Sequence, residues 1–488
     1  MNPSIRGEHT MQREQIKSGI LAGFFVIVIA VALGSLPGSP LFSTPMPPQQ
    51  QPTFSGGNGP LNVSAQLVQD KIFSGGDGTA SLSLTMAADD VFAPDNGQTL
   101  PVDMVIVLDQ SGSMRGQKLD YAKQAILTLL SRLGETDRFA LLGYADHVWT
   151  YAALNNVTAT QRQHLHRLIS NLSAGGNTNL GGGLQQGIAA LLNAPRQGHV
   201  EKVILISDGL ANRGIIAPEA LGSMASLAVE EEFAVSTVGV GHDFNEQVMT
   251  TIADRGAGNY YYLAHPSTFA EIFRQEFESS QTVAARAVEI TLALPDGISL
   301  LNASGYPITT TPHHATVHPG DLLSGQTRTF YLTLQLPTHA ETSYTFSDIS
   351  VRYLHQGTTY TATLADPFQI ACVPNPDDAL SSIDQRRWEE KVLQEDFNAL
   401  REQVAVDLKA GKQEEALQRI DQYHTQQQIM NSEVGSATVA THLDEELEEL
   451  RDFVEQTFSG SPQAVEQQQK ANAKALQYEG YKERRAKN

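Results

Sequence analysis

Between residues 100 and 280 the chain alternates short apolar runs with amphipathic stretches, and few folds accommodate that pattern. The runs are 102–108, 139–144, 202–207 and 233–240, each too short for a helix and apolar without alternation. Strands of that character are buried on both faces, as in a parallel sheet covered by helices. Between the first two runs, residues 117–133 place Leu119, Ala122, Ile126, Leu129, Leu130 and Leu133 on one side of a helix. The segment 99–282 is therefore expected to be a doubly wound α/β domain, Rossmann-like, with a mostly parallel sheet.

In such sheets the functional groups collect beyond the carboxyl ends of the strands. The first run stops at Asp109, followed by Ser111 and Ser113. The run 202–207 stops at Asp208, followed by Gly209. Between them a Gly-rich loop, 175–183, carries Thr178 at the start of a helical stretch. Asp109, Ser111, Ser113, Thr178 and Asp208 thus converge on one rim as oxygen donors, with no His or Cys among them. Hard oxygen ligands select Mg²⁺ first, with Mn²⁺ or Ca²⁺ as alternatives, over Zn²⁺. Two carboxylates and neutral hydroxyls leave room for an outside oxygen, and a cation so held attracts a carboxylate.

The order Asp-x-Ser-x-Ser, distant Thr, distant Asp resembles the metal-ion-dependent adhesion site of von Willebrand factor type A (vWA) domains. The flanks LDQSGSM, GGNTNLGGGL, ILISDGLANRG and TVGVGHDFNEQVMTTIADRGAGNYYYL resemble that family as well. The style is closest to the vWA proteins grouped with inter-alpha-trypsin inhibitor heavy chains and calcium-activated chloride channel regulators. The resemblance implies that Ser111, Ser113 and one of Thr178 and Asp208 bind the cation directly, the others partly through water. It also implies a protein partner that supplies an Asp or Glu to the open position.

The flanks have a different period. Ala80, Leu82, Leu84 and Met86 share one face, as do Val288, Ile290, Leu292 and Leu294. The same holds for Phe330, Leu332, Leu334 and Leu336, for Ile349, Val351 and Tyr353, and for Phe368, Ile370 and Cys372. Alternation with Pro/Gly turns predicts an antiparallel β-sandwich over 283–376, completed by strands at 59–98, with the α/β domain inserted between. Residues 380–460 carry apolar residues at spacings of 3 and 4, notably Leu393, Phe397, Leu400, Val404 and Leu408, and are expected to form helical hairpins around Gly411. The Gln-rich stretch 461–488, ending KERRAKN, is expected to be a frayed tail.

At the other end, Arg6, Arg13 and Lys17 precede an uncharged apolar stretch, 18–36. Its 19 residues approach the ~20 that span a bilayer as a helix, and the basic flank keeps that end inside. Residues 1–36 are expected to be a signal anchor, or a cleaved signal peptide with Ala30-Val31-Ala32 as the processing site. Both exits put the body outside the membrane, periplasmic or extracellular, behind a Pro-rich linker, 37–58. With 54 acidic against 33 basic side chains the chain carries −21, which argues against a nucleic-acid partner. The lone Cys372 excludes an internal disulfide.

Motifs of common enzymes (HExxH, G-x-S-x-G, a P-loop, paired cysteines) are missing, and Ser111 and Ser113 have no His placed as a base. The expectation is a metal-dependent binding module and not an enzyme. The alternative is a scaffold or assembly factor of an envelope complex, acting mainly through its C-terminal helices. Weaker signals have plainer readings. Asp243 is read as a helix N-cap with Glu246 as its capping-box partner. Cys372 is read as a buried strand residue, and Tyr144 and Trp149 as packing. Of Tyr260, Tyr261 and Tyr262, one is expected to be exposed. His313, His314 and His318 lack the accompanying acid or thiol that a second metal site calls for.

Overall fold

The computed structural model describes residues 51–91, 100–195, 198–364 and 366–485. The segment 18–36 lies outside them, and among the described residues no helix is long and apolar enough to cross a membrane. The chain opens with β1 (Phe54–Asn58), β2 (Leu61–Leu67), β3 (Lys71–Phe73) and β4 (Thr79–Ala88). The linker expected over 37–58 therefore ends sooner than composition implied. Phe54 packs 5.7 Å from the Phe368 ring, and Gly56 lets the backbone approach Thr363 so closely that a Cβ would sit 1.9 Å from its carbonyl oxygen. The prolines marked 37–58 as an extended linker, yet at its end glycine serves close strand contact.

The central sheet is built from β5 (Val102–Asp109), β6 (Arg138–Tyr144), β7 (Val148–Asn156), β8 (Val200–Ser207), β9 (Ala234–Val240) and β10 (Ala257–Leu263). Their order is β10-β9-β8-β5-β6-β7, and only β7 runs antiparallel. On one face lie α1 (Gln117–Arg132), α2 (Ala159–Ser170) and α6 (Phe269–Gln281). The other face holds α3 (Leu180–Leu192), α4 (Pro218–Glu230) and α5 (Glu246–Arg255). The helix α3 packs closely because it carries glycines. A Cβ at Gly187 would stand 2.5 Å from Val107 Cγ2 and 3.2 Å from Val203 Cγ1. Gly187→Ala is expected to destabilise by about 1–3 kcal/mol, overpacking outweighing the helix propensity that alanine gains. Urea midpoints check this; a midpoint at or above wild type refutes it.

The remaining strands are β11 (Val283–Ala293), β12 (Ser299–Ala303), β13 (Ile308–Thr310), β14 (His314–Leu323), β15 (Thr327–Gln335), β16 (Ser343–Phe346), β17 (Ile349–His355), β18 (Thr358–Thr363) and β19 (Phe368–Val373). One sheet runs β1-β2-β4-β15-β12, a second β13-β14-β11-β17-β18, and a small third joins β16, β19 and β3. The pairing of β4 with β15 runs from Thr79↔Gln335 to Ala87↔Thr327 without a break. Strands from before and after the central sheet thus share one sheet. Leu82, Leu84, Phe330 and Leu332 meet Val288, Ile290, Val351 and Tyr353 in one apolar core, with Cys372 buried in it.

The chain ends in helices: α7 (Pro376–Leu380), α8 (Gln385–Lys391), α9 (Phe397–Lys409), α10 (Gln413–Val434), α11 (Ala437–Thr457) and α12 (Pro462–Arg484). The stretch expected to be a frayed tail holds α12, with Arg485 as its C-cap. Ser461 caps it, accepting from the Ala464 N–H, and Pro462 opens its first turn. Its glutamines are fair helix formers. Its buried face consists of Ala473, Lys474, Leu476, Gly480 and Tyr481, too small and polar to register as an apolar stripe. Tyr478 and Tyr481 stand edge-on to Tyr260 at 5.7 and 5.3 Å, on the edge strand β10. Tyr260 is buried and Tyr262 half-buried on the face that α12 covers, while Tyr261 is buried on the other face, its hydroxyl donating to Glu276.

The start of α5 also departs from expectation. Asn245, and not Asp243, is the N-cap, accepting from the Val248 N–H at 3.3 Å. Glu246 turns outward to α12 instead of back to the cap. It accepts from Lys474 at 2.7 Å and pairs with Lys409.

Candidate metal centre

Pairing Leu108 with Ile206 brings the carboxyl ends of β5 and β8 level, which sets Asp109 beside Ser207 and Asp208. Asp109 is fully buried. One of its oxygens accepts from the Ser111 N–H at 2.8 Å and the other from the Ser207 hydroxyl at 3.1 Å. Ser111 Oγ lies 2.9 Å from Ser113 Oγ, and Ser113 donates to Asp208 Oδ1 at 2.7 Å. Met114, buried beneath, anchors the single 3-10 turn that carries Ser113. Ser113 is the exposed member; Asp109, Ser111, Thr178 and Asp208 lie below it.

Thr178 arrives by a separate loop stitched to the first. Gly175 N–H donates to Gln110 O at 2.7 Å and Gly112 N–H to Gly176 O at 3.0 Å. Gly176 has φ +89°, and a Cβ there would come within 2.3 Å of Asp146 Oδ2. Asn212 clasps the Thr178 backbone, accepting its N–H at 2.9 Å and donating to its carbonyl at 3.2 Å. The Ser113 and Thr178 hydroxyls flank Gly209, at 3.3 and 3.8 Å from where its Cβ would stand. All five residues singled out in the sequence therefore meet at one rim.

Sequence reasoning missed the supporting groups. Ser207, Asn212 and Lys118 touch these residues directly. Asp146 holds Asn177 at 2.6 Å and Arg213 at 3.2 Å, and the Asn177 hydrogen bond is the main reason its pKa is lowered. Each is an ordinary polar residue on a strand end, loop or helix start, and its type alone does not mark it as a supporting group.

The donor set suits a hard divalent ion. Among the described residues no group of three or more His, Cys, Asp and Glu could hold a metal, so His313, His314 and His318 form no such cluster. At the rim, hydroxyls complete what two carboxylates begin. Burial drives the Asp109 pKa up to about 6, against the opposing Ser111 N–H, with the Asp208 charge adding to the rise. A buried carboxylate held charged at neutral pH is one that gains from a bound cation.

Residues 103–275 match the family described as the von Willebrand factor type A domain, in keeping with the doubly wound central sheet. An uncharacterized protein of Synechocystis is 27% identical over 57% of this chain and 67% of its own length. The uncharacterized protein YfbK of Escherichia coli is 30% identical over 38% of this chain and 32% of its own. Human inter-alpha-trypsin inhibitor heavy chain H3 is 30% identical over 33% of this chain. The chain spans 19% of that heavy chain, so the likeness is confined to one domain. Among solved structures, a von Willebrand factor type A protein from Catenulispora acidiphila superposes with TM-score 0.63 at 18% identity, over 88% of this chain and 97% of that one. The ArnB paralog VWA2 of Sulfolobus acidocaldarius gives 0.53 at 18% identity, over 86% and 98%. These two share the fold across nearly their whole length.

Proposed function

We propose that this protein is a metal-ion-dependent protein-binding module held outside the cytoplasmic membrane. It grips an Asp or Glu of its partner through a divalent cation and has no catalytic turnover of its own. The observation that carries this reading is the convergence of Asp109, Ser111, Ser113, Thr178 and Asp208, with carboxylates below and the Ser113 hydroxyl at the surface. That depth order leaves the outward coordination position to an external oxygen. Mg²⁺ is the first choice of ion, Mn²⁺ and Ca²⁺ the alternatives. The export half of the reading rests on residues 18–36 and their basic flank.

The alternative of an assembly factor working through the C-terminal helices has less to draw on. Lys474, Tyr478, Tyr481, Arg484 and Arg485 are engaged with the rest of this chain. The test is the thermal midpoint of the full chain in EDTA and in millimolar Mg²⁺, Mn²⁺ or Ca²⁺, beside Asp109→Ala. Wild type is expected to gain about 2.7 kcal/mol at a hundredfold excess over Kd, and Asp109→Ala nothing. Equal responses in the two proteins would refute the site.

A further inference from the structure

Lys118 stands in the first turn of α1 with its side chain 28% exposed. Its Nζ lies 2.6 Å from Asp208 Oδ2, the oxygen that Ser113 leaves free. The same ammonium lies against the turn at Gly241, 3.7 Å from where a Cβ would be. Asp208 therefore has a covalently tethered counter-charge. Asp109 instead meets neutral groups, among them the Ser111 N–H and the Ser207 hydroxyl. Two carboxylates and one ammonium sum to −1, so a divalent ion leaves the centre at +1 where carboxylates alone would leave it neutral.

We propose that Lys118 sets the charge of this centre, weakening metal binding and reserving one positive charge for the incoming carboxylate. It makes the site selective for an anionic partner group over a neutral oxygen, and it couples the two binding events. The inference rests on the metal-binding reading above. The physical cause is Coulombic: a fixed cation paired with Asp208 would oppose the entry of a second cation at that carboxylate and favour an anion beside it. Linkage then requires that a carboxylate ligand tighten metal binding by the same factor by which metal tightens the ligand.

The experiment titrates Mn²⁺ into the full chain by calorimetry and by its electron paramagnetic resonance signal, with acetate, with acetamide and with neither. Asp109→Ala gives the blank for Mn²⁺ bound elsewhere or by acetate itself. Lys118→Met is expected to bind Mn²⁺ at least about tenfold more tightly than wild type and to lose most of the tightening by acetate. Lys118→Arg keeps the charge and is expected to stay within about twofold of wild type. A peg that merely held Asp208 in place would show the opposite sign, with weaker binding in Lys118→Met. Unchanged or weaker binding in Lys118→Met overturns the inference while leaving the metal site standing. Wild type that binds no more Mn²⁺ than Asp109→Ala overturns both, and is seen before any Lys118 variant is made.

Discussion

Asp109→Asn is expected to be more stable than wild type at pH 8 in EDTA, by about 3 kcal/mol, and no more stable at pH 4. The Asp109 pKa is raised from 3.8 to about 6, chiefly by burial. Between those two values the folded chain keeps a proton that the unfolded chain has already released. Stability contributed by this group therefore falls as pH rises through that window and stays low above it. An amide removes the penalty and still accepts the Ser111 N–H; its NH₂ faces the Ser207 hydroxyl, which has Gly209 O as a second acceptor. The same substitution is expected to lose the metal response, because the amide brings no charge. Urea midpoints at pH 4 and pH 8, with chelator and with Mg²⁺, separate these effects. A variant less stable than wild type at pH 8 in chelator would show that hydrogen bonding, and not charge, governs this position. A gain in stability paired with a loss of metal response is the pattern expected of a residue kept for binding.

The central domain was legible because its strands are buried on both faces and so carry unbroken apolar runs. The five rim residues were legible for a related reason. Each sits where a strand or loop must stop, and polar groups immediately after such runs have few other uses. The insertion was readable from period-2 alternation on both sides, and the Thr79–Ala87 pairing with β15 puts those flanks in one sheet. What composition concealed was polar surface used for packing. Glutamines, glycines and terminal arginines mark solvent in most chains. Here Gly56 makes room for a carbonyl, Asn212 holds a loop, and Lys474 donates to Phe244 O at 2.8 Å while its ammonium lies 4.0 Å from the Phe244 ring centroid. Such contacts join residues distant along the chain, 34 positions for Asn212 and Thr178 and 230 for Lys474 and Phe244, and no local period records them.

Arg485→Ala is expected to lower stability by about 3–5 kcal/mol, the larger of the two effects, although the residue stands at the edge of a basic tail. Its guanidinium is buried between Asp254 and Glu402, with 3.1 Å contacts to each, and also donates to Gly305 O. It stacks 4.0 Å from the Tyr481 ring centroid. Removing it strands Asp254, which is 7% exposed and left with the Tyr481 hydroxyl. Lysine is expected to rescue little, because one ammonium cannot span two carboxylates and a ring as the planar fork does. Urea denaturation of Arg485→Ala and Arg485→Lys checks both statements, and a loss under 1 kcal/mol in the alanine variant would refute the first. The consequence reaches the rim that carries Asp109 and Asp208. Along α12, Arg485 ties the helix to α5 and to the turn after β12, while Lys474 ties it to the Phe244 carbonyl and to Glu246. Phe244 and Glu246 lie just past Gly241, against which Lys118 rests. A chain cut before Pro462 would release that loop and uncover Tyr260. Measurements of metal affinity therefore belong on protein that retains α12, since its anchoring sets the wall on one side of Lys118.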